Sequence, residues 1–319
     1  MRKDYIAQWY EVREEQGISD RIHCFIHNSQ EQQTQWHHFR HRDTDGIGML
    51  ANVREQLGYP ASSLPRCRDL TEPGFWQTLN KVRRQRKDRT PKTVHWKKAS
   101  ATKAGETPRA VTEPEFTVLN TTTVSRLKTV AAARGVSLAS LTFACLNKVI
   151  FSVCLQPGSR AWWFYPVNVR GAVSWPEQSN LSSGFYLALD EHSSAGHIHA
   201  QVKAKLVARE HWWLWKMAHI GRWIGKTGVR FIYRRISGSQ FYLGSFSYLG
   251  DWSLPQHPHS VVGVCGAGSA NYPIATGVTE CNGQLTLALK FHPSIALAQE
   301  TQQRCLQLWQ QSLQELSYA

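Results

Sequence analysis

The stretch from Glu115 to Gly171 restricts the fold of this chain more than any other part of its 319 residues. It reads EFTVLNTTTVSRLKTVAAARGVSLASLTFACLNKVIFSVCLQPGSRAWWFYPVNVRG. Its periodicities give, in order, a strand, a helix, a Gly-Val-Ser link, an apolar helix and a buried strand that ends at Arg170. Strands interleaved with helices that must bury an apolar side point to an α/β architecture, with helices layered on a sheet.

The same alternation is present upstream. Arg21–His27 and Thr34–His41 read as two strands around the polar turn NSQEQQ. After Gly46, the residues Ile47, Leu50, Val53 and Leu57 recur at helical spacing until Gly58 and Pro60 stop the pattern. Between the second strand and this helix lies Arg40-His41-Arg42-Asp43-Thr44-Asp45-Gly46, an HxxxDG motif. An imidazole can take a proton from a hydroxyl, amine or thiol near neutral pH, and a buried carboxylate can hold the surrounding loop in one shape. His41 is therefore the candidate general base. The doublet His37-His38 does not offer a second register, because Arg42 and Asp43 stand where Asp and Gly would be needed.

These two regions together resemble the chloramphenicol acetyltransferase-like superfamily, which includes peptide-synthetase condensation domains, plant alcohol acyltransferases and wax-ester synthases. The motif at His41, Asp45 and Gly46 resembles its HHxxxDG signature, with Arg40 in place of the first His. The phrase Pro166-Val167-Asn168-Val169-Arg170 resembles the strand end whose arginine pairs with the motif's aspartate, so the resemblance implies a structural Arg170–Asp45 ion pair. Three weaker phrases follow in the same order. Asn180–Asp190 (NLSSGFYLALD) is similar to a "GN" segment, except that Phe185 follows Gly184. Ser245–Gly250 (SFSYLG) is similar to the "SNxG" strand across the tunnel from the histidine, with Ser247 at the serine and Tyr248 in place of the Asn. Gln284–Pro293 (QLTLALKFHP) resembles the closing strand, ahead of a last amphipathic helix at Ala298–Leu316. A hydroxyl at Ser247 could donate to a tetrahedral oxyanion, an interaction whose loss typically raises a barrier by about 2.7–4 kcal/mol.

The resemblance implies a two-lobe α/β sandwich with mixed sheets, helices on the outer faces and a tunnel between the lobes. It also implies transfer of an acyl group from acyl-coenzyme A or an acyl carrier protein to a hydroxyl or amine, with no covalent acyl-enzyme, no metal and no bound cofactor. The expected division is a reduced N-terminal lobe at 1–80, a basic crossover at 81–112 and a C-terminal lobe at 113–319. Only Asp4–Glu15 is available for a helix ahead of the first strand. A lobe this short leaves one wall of the tunnel to be covered by lipid, a partner or a second copy.

Charge adds a second theme. The net charge is +14 with thirteen tryptophans, a balance that favours anionic partners. One basic run is Lys81–Lys98, followed by the loop-like Ser100–Pro108 (SATKAGETP). Another is His211–Arg235 (HWWLWKMAHIGRWIGKTGVRFIYRR), where Trp212, Trp213, Trp215, Trp223, Ile224, Phe231 and Ile232 alternate with Lys and Arg. Aromatic rings flanked by cations are the composition of a helix at an anionic membrane surface. This segment is thus a candidate membrane contact, with an acceptor embedded in the lipid, in a chain expected to be cytoplasmic and peripheral to the inner face of the membrane. No apolar run approaches the ~20 residues that span a bilayer, and MRKDYIAQWYEV lacks a signal-peptide core. The seven scattered cysteines contain no CxxC and are expected to be reduced and mostly buried. Gly263–Gly268 (GVCGAG) lacks GxGxxG spacing and reads as a strand turn.

Two other classes are compatible with the sequence. A noncatalytic relative could keep the tunnel as a binding or scaffold site. A nucleic-acid-binding protein would share the basic, aromatic composition, but no recognised nucleic-acid module is visible and none is expected as a partner.

Overall fold

Two sheets of unequal size organise the chain. The computed structural model describes residues 5–16, 18–59, 64–79, 94–97, 114–237, 242–269, 272–292 and 299–318. The first part contributes α1 (Tyr5–Glu15), β1 (Arg21–Asn28), β2 (Gln33–Arg40) and α2 (Gly46–Gln56). The second contributes β3 (Glu115–Leu119), α3 (Thr121–Ala133), α4 (Leu138–Cys154), β4 (Arg160–Asn168), β5 (Ser182–Asp190), α5 (Ala195–Val207), α6 (His211–Ala218) and α7 (Gly221–Ser237). It ends with β6 (Tyr242–Asp251), β7 (Ser260–Cys265), β8 (Ile274–Cys281), β9 (Gln284–Phe291) and α8 (Gln299–Leu316). The expected crossover falls almost wholly outside the described residues. Only 94–97 of it is seen, with Trp96 bridged to Leu155 at the end of α4.

The large sheet has the order β3-β9-β8-β6-β4-β5. β6 runs parallel to both its neighbours, and the remaining pairs are antiparallel, so the sheet is mixed as the resemblance implied. The helices α3 and α4 are defined by local chemistry. Asn120 accepts from Thr123 N at 2.9 Å to cap α3, Gly135 takes the left-handed conformation just past its end (φ 63), and Ser137 accepts from Ser140 N at 3.1 Å to cap α4. Their apolar sides, with α8, lie over the large sheet and form the main core, in which Phe143 stacks on Phe246 at 4.2 Å. No single helix among the described residues is long and apolar enough to cross a membrane.

The small sheet has the order β2-β1-β7. β1 pairs antiparallel with both neighbours, from Arg21↔Arg40 to Asn28↔Gln33 on one side and from His23↔Cys265 to Asn28↔Ser260 on the other. The first lobe is therefore not confined to residues before the crossover: the 113–319 segment returns one strand to it. β7 passes so close over β8 that a Cβ on Gly277 would fall 1.6 Å from the Val264 carbonyl oxygen, and only glycine permits that crossing. Gly263–Gly268 forms the end of β7 and its exit, which agrees with its reading as a strand turn.

The aromatic-basic segment splits in two. On α6, Trp212 and Trp215 are 0% and 3% exposed and pack with Ile6, Val169 and Leu181. Trp212 Nε1 donates to Asp69 Oδ2 at 2.6 Å. The expectation that the whole of His211–Arg235 faces a membrane is corrected here, because its first half is core. Only α7 keeps exposed rings, Trp223 and Phe231 at 75% and 60%, beyond a break at Gly225 (φ 62). All seven cysteines are free, five of them buried.

Candidate active site between the two sheets

The site begins with the cap of α2. Asp45 is its N-cap residue, and Oδ1 accepts from the backbone N–H groups of Ile47 and Gly48 at 3.1 and 3.0 Å. Its other partners come from 125 residues downstream or more. Arg170 donates Nη2 to Oδ1 at 2.7 Å and Nη1 to Oδ2 at 2.8 Å, and Leu181 N donates to Oδ2 at 2.9 Å. Arg170 spends its remaining donors on Glu177 O, Ser179 O and Asn168 Oδ1, at 2.7, 2.9 and 3.1 Å. All five guanidinium N–H groups thus have acceptors, which a fully buried cation requires. The loop closes tightly around this pair. A Cβ on Gly48 would meet Gln178 O and Thr44 Oγ1 at 2.3 Å, and one on Gly46 would meet Leu249 at 3.2 Å.

With Asp45 turned inward to Arg170, His41 is left facing the space between the sheets. Its backbone N–H donates to Asp20 O at 2.8 Å. Its Nδ1 lies 3.1 Å from Thr44 O. The Asn180 amide also approaches Nδ1, at 3.3 Å, but the shorter contact is to a carbonyl, which can only accept, and it favours the tautomer with the proton on Nδ1 and the lone pair on Nε2. Asn180 Nδ2 donates to His41 O at 2.6 Å, and the Tyr10 ring stands 5.2 Å from the imidazole. Burial lowers the His41 pKa below the ordinary histidine value, outweighing the Thr44 carbonyl and the Asp45 carboxylate, which pull it up. The imidazole is accordingly neutral at pH 7.

A cavity of about 290 Å³ opens in front of it. His41, Asp45 and Gly46 line one side. Ser245, Ser247, Tyr248 and Leu249 of β6 line another, Phe164, Pro166, Val167 and Asn168 of β4 a third, and Gly266 to Ser269 the exit from β7. Four of the residues singled out in the sequence, His41, Asp45, Gly46 and Ser247, thus reach one cavity; Arg170 lies behind it, bound to Asp45. Arg40, where the resemblance has its first histidine, does not line the cavity. It is exposed at the end of β2, 4.0 Å from Glu14. Tyr248, in place of the Asn of the SNxG strand, donates its hydroxyl to Glu280, which also binds Lys128 at 2.5 Å.

Sequence reasoning missed several lining or supporting groups. Asn180 enters the sequence reading only as the first residue of the phrase similar to a GN segment. Ser245 shares a face of β6 with Ser247, which the period of two could have signalled. Tyr10 and Arg13 come from α1, which the sequence marks only as a helix ahead of the first strand. Among the described residues, no three His, Cys, Asp or Glu side chains are grouped to hold a metal ion.

No family model and no curated protein sequence matches this chain. Solved structures do match it. The epimerization domain from the third module of tyrocidine synthetase B superposes with a TM-score of 0.50 at 13% identity, over 89% of this chain and 69% of that one. The EpoB cyclization-docking bidomain from Sorangium cellulosum gives 0.52 at 15%, over 90% and 60%. The condensation domain of the monacolin K polyketide synthase gives 0.51 at 7%, over 90% and 69%. The chain therefore spans about two thirds of the length of these structures, and at such identities the likeness is one of fold. Sheet order, the crossing strand and these superpositions agree: the chain has the two-lobe chloramphenicol acetyltransferase-like fold of condensation domains.

Proposed function

We propose that this protein transfers an acyl group from a thioester, carried by coenzyme A or an acyl carrier protein, to a hydroxyl or amine. The observation that carries the reading is His41: neutral, with Nδ1 held by a carbonyl and Nε2 available to the cavity. The acceptor's O–H or N–H gives its proton to Nε2 while the oxygen or nitrogen attacks the thioester carbonyl. The tetrahedral intermediate then collapses, the C–S bond breaks, and the imidazolium returns the proton to the departing thiolate. Ser247, on the strand facing His41 across the cavity, supplies a hydroxyl to the oxyanion, and Ser245 is a second hydroxyl on the same face. Asp45 and Arg170 take no part in proton transfer. Both are saturated by hydrogen bonds that fix the loop, and their role is to hold His41 in position.

The fold also accommodates a noncatalytic binding role, and one variant separates the two. His41→Ala should lower the turnover of acyl thioesters by about 10²–10⁴-fold with little change in stability. Activity equal to that of the wild type overturns the assignment. The pH profile gives a second readout. A base must be deprotonated, so the rate falls on the acid side as pH drops through the His41 pKa, and burial places that limb below the ordinary histidine value. For an acceptor held in an anionic membrane, the contact belongs to α7. There Trp223 and Phe231 are exposed, with Arg222 and Arg235 over their rings at 4.9 and 4.8 Å.

A further inference from the structure

One charged group in the cavity has no role in the chemistry above. Arg13, on α1, lines the cavity, and its guanidinium stands over the Tyr10 ring with Cζ 5.3 Å from the centroid. Its charge also acts on the Tyr233 and Tyr272 hydroxyls and on the His41 and His292 imidazoles, none of which is an anion. Its Nε is buried and has no hydrogen-bond partner, and no carboxylate of the described residues pairs with it. The two acids closest to the site are engaged elsewhere: Asp45 is saturated by Arg170, and Asp20 accepts from the backbone of Arg42 at 3.4 Å. A guanidinium with an idle buried donor beside a cavity is an incomplete ion site, because a buried N–H left unpaired costs about as much as the desolvation of that group.

Tyr10 fixes the scale. Its ring is 5.2 Å from the His41 ring on one side and 5.3 Å from Arg13 Cζ on the other. Arg13 Cζ is therefore no more than about 10.5 Å from the His41 ring, so a group held by Arg13 is within one small molecule's length of a nucleophile held by His41. The phosphates of coenzyme A do not meet this condition, since they lie a whole pantetheine arm away from the reacting carbonyl. The remaining lining near Arg13 is aromatic and hydroxylic, with Phe164, Tyr272 and Ser269, and offers no second cation. We infer that Arg13 is a specificity-determining residue that binds an oxyanion, a carboxylate or a phosphate ester, on the acceptor substrate itself, on the same small molecule as the attacking hydroxyl or amine.

The inference rests on the acyl-transfer reading for the word acceptor, but the binding does not, and the binding measurements use no acyl donor. Benzoate and phenyl phosphate, with methyl benzoate as the neutral control, are titrated into the full chain and followed by calorimetry. At least one anion should bind about ten-fold or more tighter than the ester, as expected for a charge-assisted hydrogen bond. Whichever anion binds better identifies the oxyanion. Arg13→Gln should abolish that preference, and Arg13→Lys should keep part of it, because an ammonium retains the charge without the planar fork. His41→Ala should leave anion binding within about three-fold, below the effect of a lost charged contact. Equal binding of the ester and both anions by the wild-type chain overturns the proposal whether or not the variants fold. So does an undiminished preference in a folded Arg13→Gln protein. Loss of transfer activity in His41→Ala with anion binding intact separates this inference from the catalytic one.

Discussion

The cavity has two walls built on opposite physics. The wall carrying His41 is a buried polar network: one carboxylate, one guanidinium and the backbone groups around them, with every donor of Arg170 paired. The wall carrying Tyr10 and Arg13 is a helix held by apolar packing. Ile6 lies against Trp212 and Trp215, and Val12 lies against Val229 and Tyr233. Outside, α1 is tied to α7 by exposed ion pairs, Lys226 to Glu11 at 2.8 Å and Arg230 to Glu15 at 2.9 Å. Pairs of that kind contribute little and are screened by salt. The contrast shows how one site can hold a charge for structure and a charge for binding. The arginine that fixes the loop is saturated, whereas the arginine that faces the ligand is left with a donor to spend.

Three substitutions test that contrast. The largest effect is expected at the polar wall. Arg170→Ala strands the Asp45 carboxylate in the interior and should cost about 3–5 kcal/mol, read as a fall in the denaturant midpoint together with loss of transfer activity. A stability near that of wild type would mean that the network is not what fixes the loop. At the apolar wall, Trp212→Ala removes a buried indole and should cost about 3–5 kcal/mol as a cavity mutation, at or just under the first effect. Its signature differs: protease cleavage within α1 should increase while the rest of the fold persists, and protection of α1 equal to wild type would separate the helix from that core. The smallest effect is expected on α7. Trp223→Ala replaces an exposed indole and should change stability by no more than about 0.5 kcal/mol, so a larger loss in thermal denaturation would place that ring in a contact of its own.

The same division governs how much of the molecule can be read before folding. The elements of the His41 loop and of Glu115–Arg170 were legible because their signals are local: a capping aspartate before a glycine turn, and a glycine followed by a capping serine at the α3–α4 link. The Asp45–Arg170 pair was legible only through family resemblance, since nothing local joins two residues 125 positions apart. Asn180 and Arg13 were not legible at all. Each gains its role from where a neighbouring element is placed, and neither stands at a distinctive spacing. For His211–Arg235, composition separated rings from charges correctly but could not tell a lobe from a lipid surface, because both bury indoles equally well. Burial of Trp212 with a hydrogen bond to Asp69 decides that point for the first half only.

The crossing of β7 over Gly277 also sets an order of events in synthesis. On a ribosome, β1 and β2 emerge before the strands of the large sheet, yet the second partner of β1 is not made until Ser260–Cys265 has followed. Until then β1 presents an open hydrogen-bonding edge, the kind of edge that invites pairing with the wrong chain. This sheet is thus closed by a contact of high sequence separation, which makes its completion intrinsically slow even though β1 and β2 precede every strand of the large sheet.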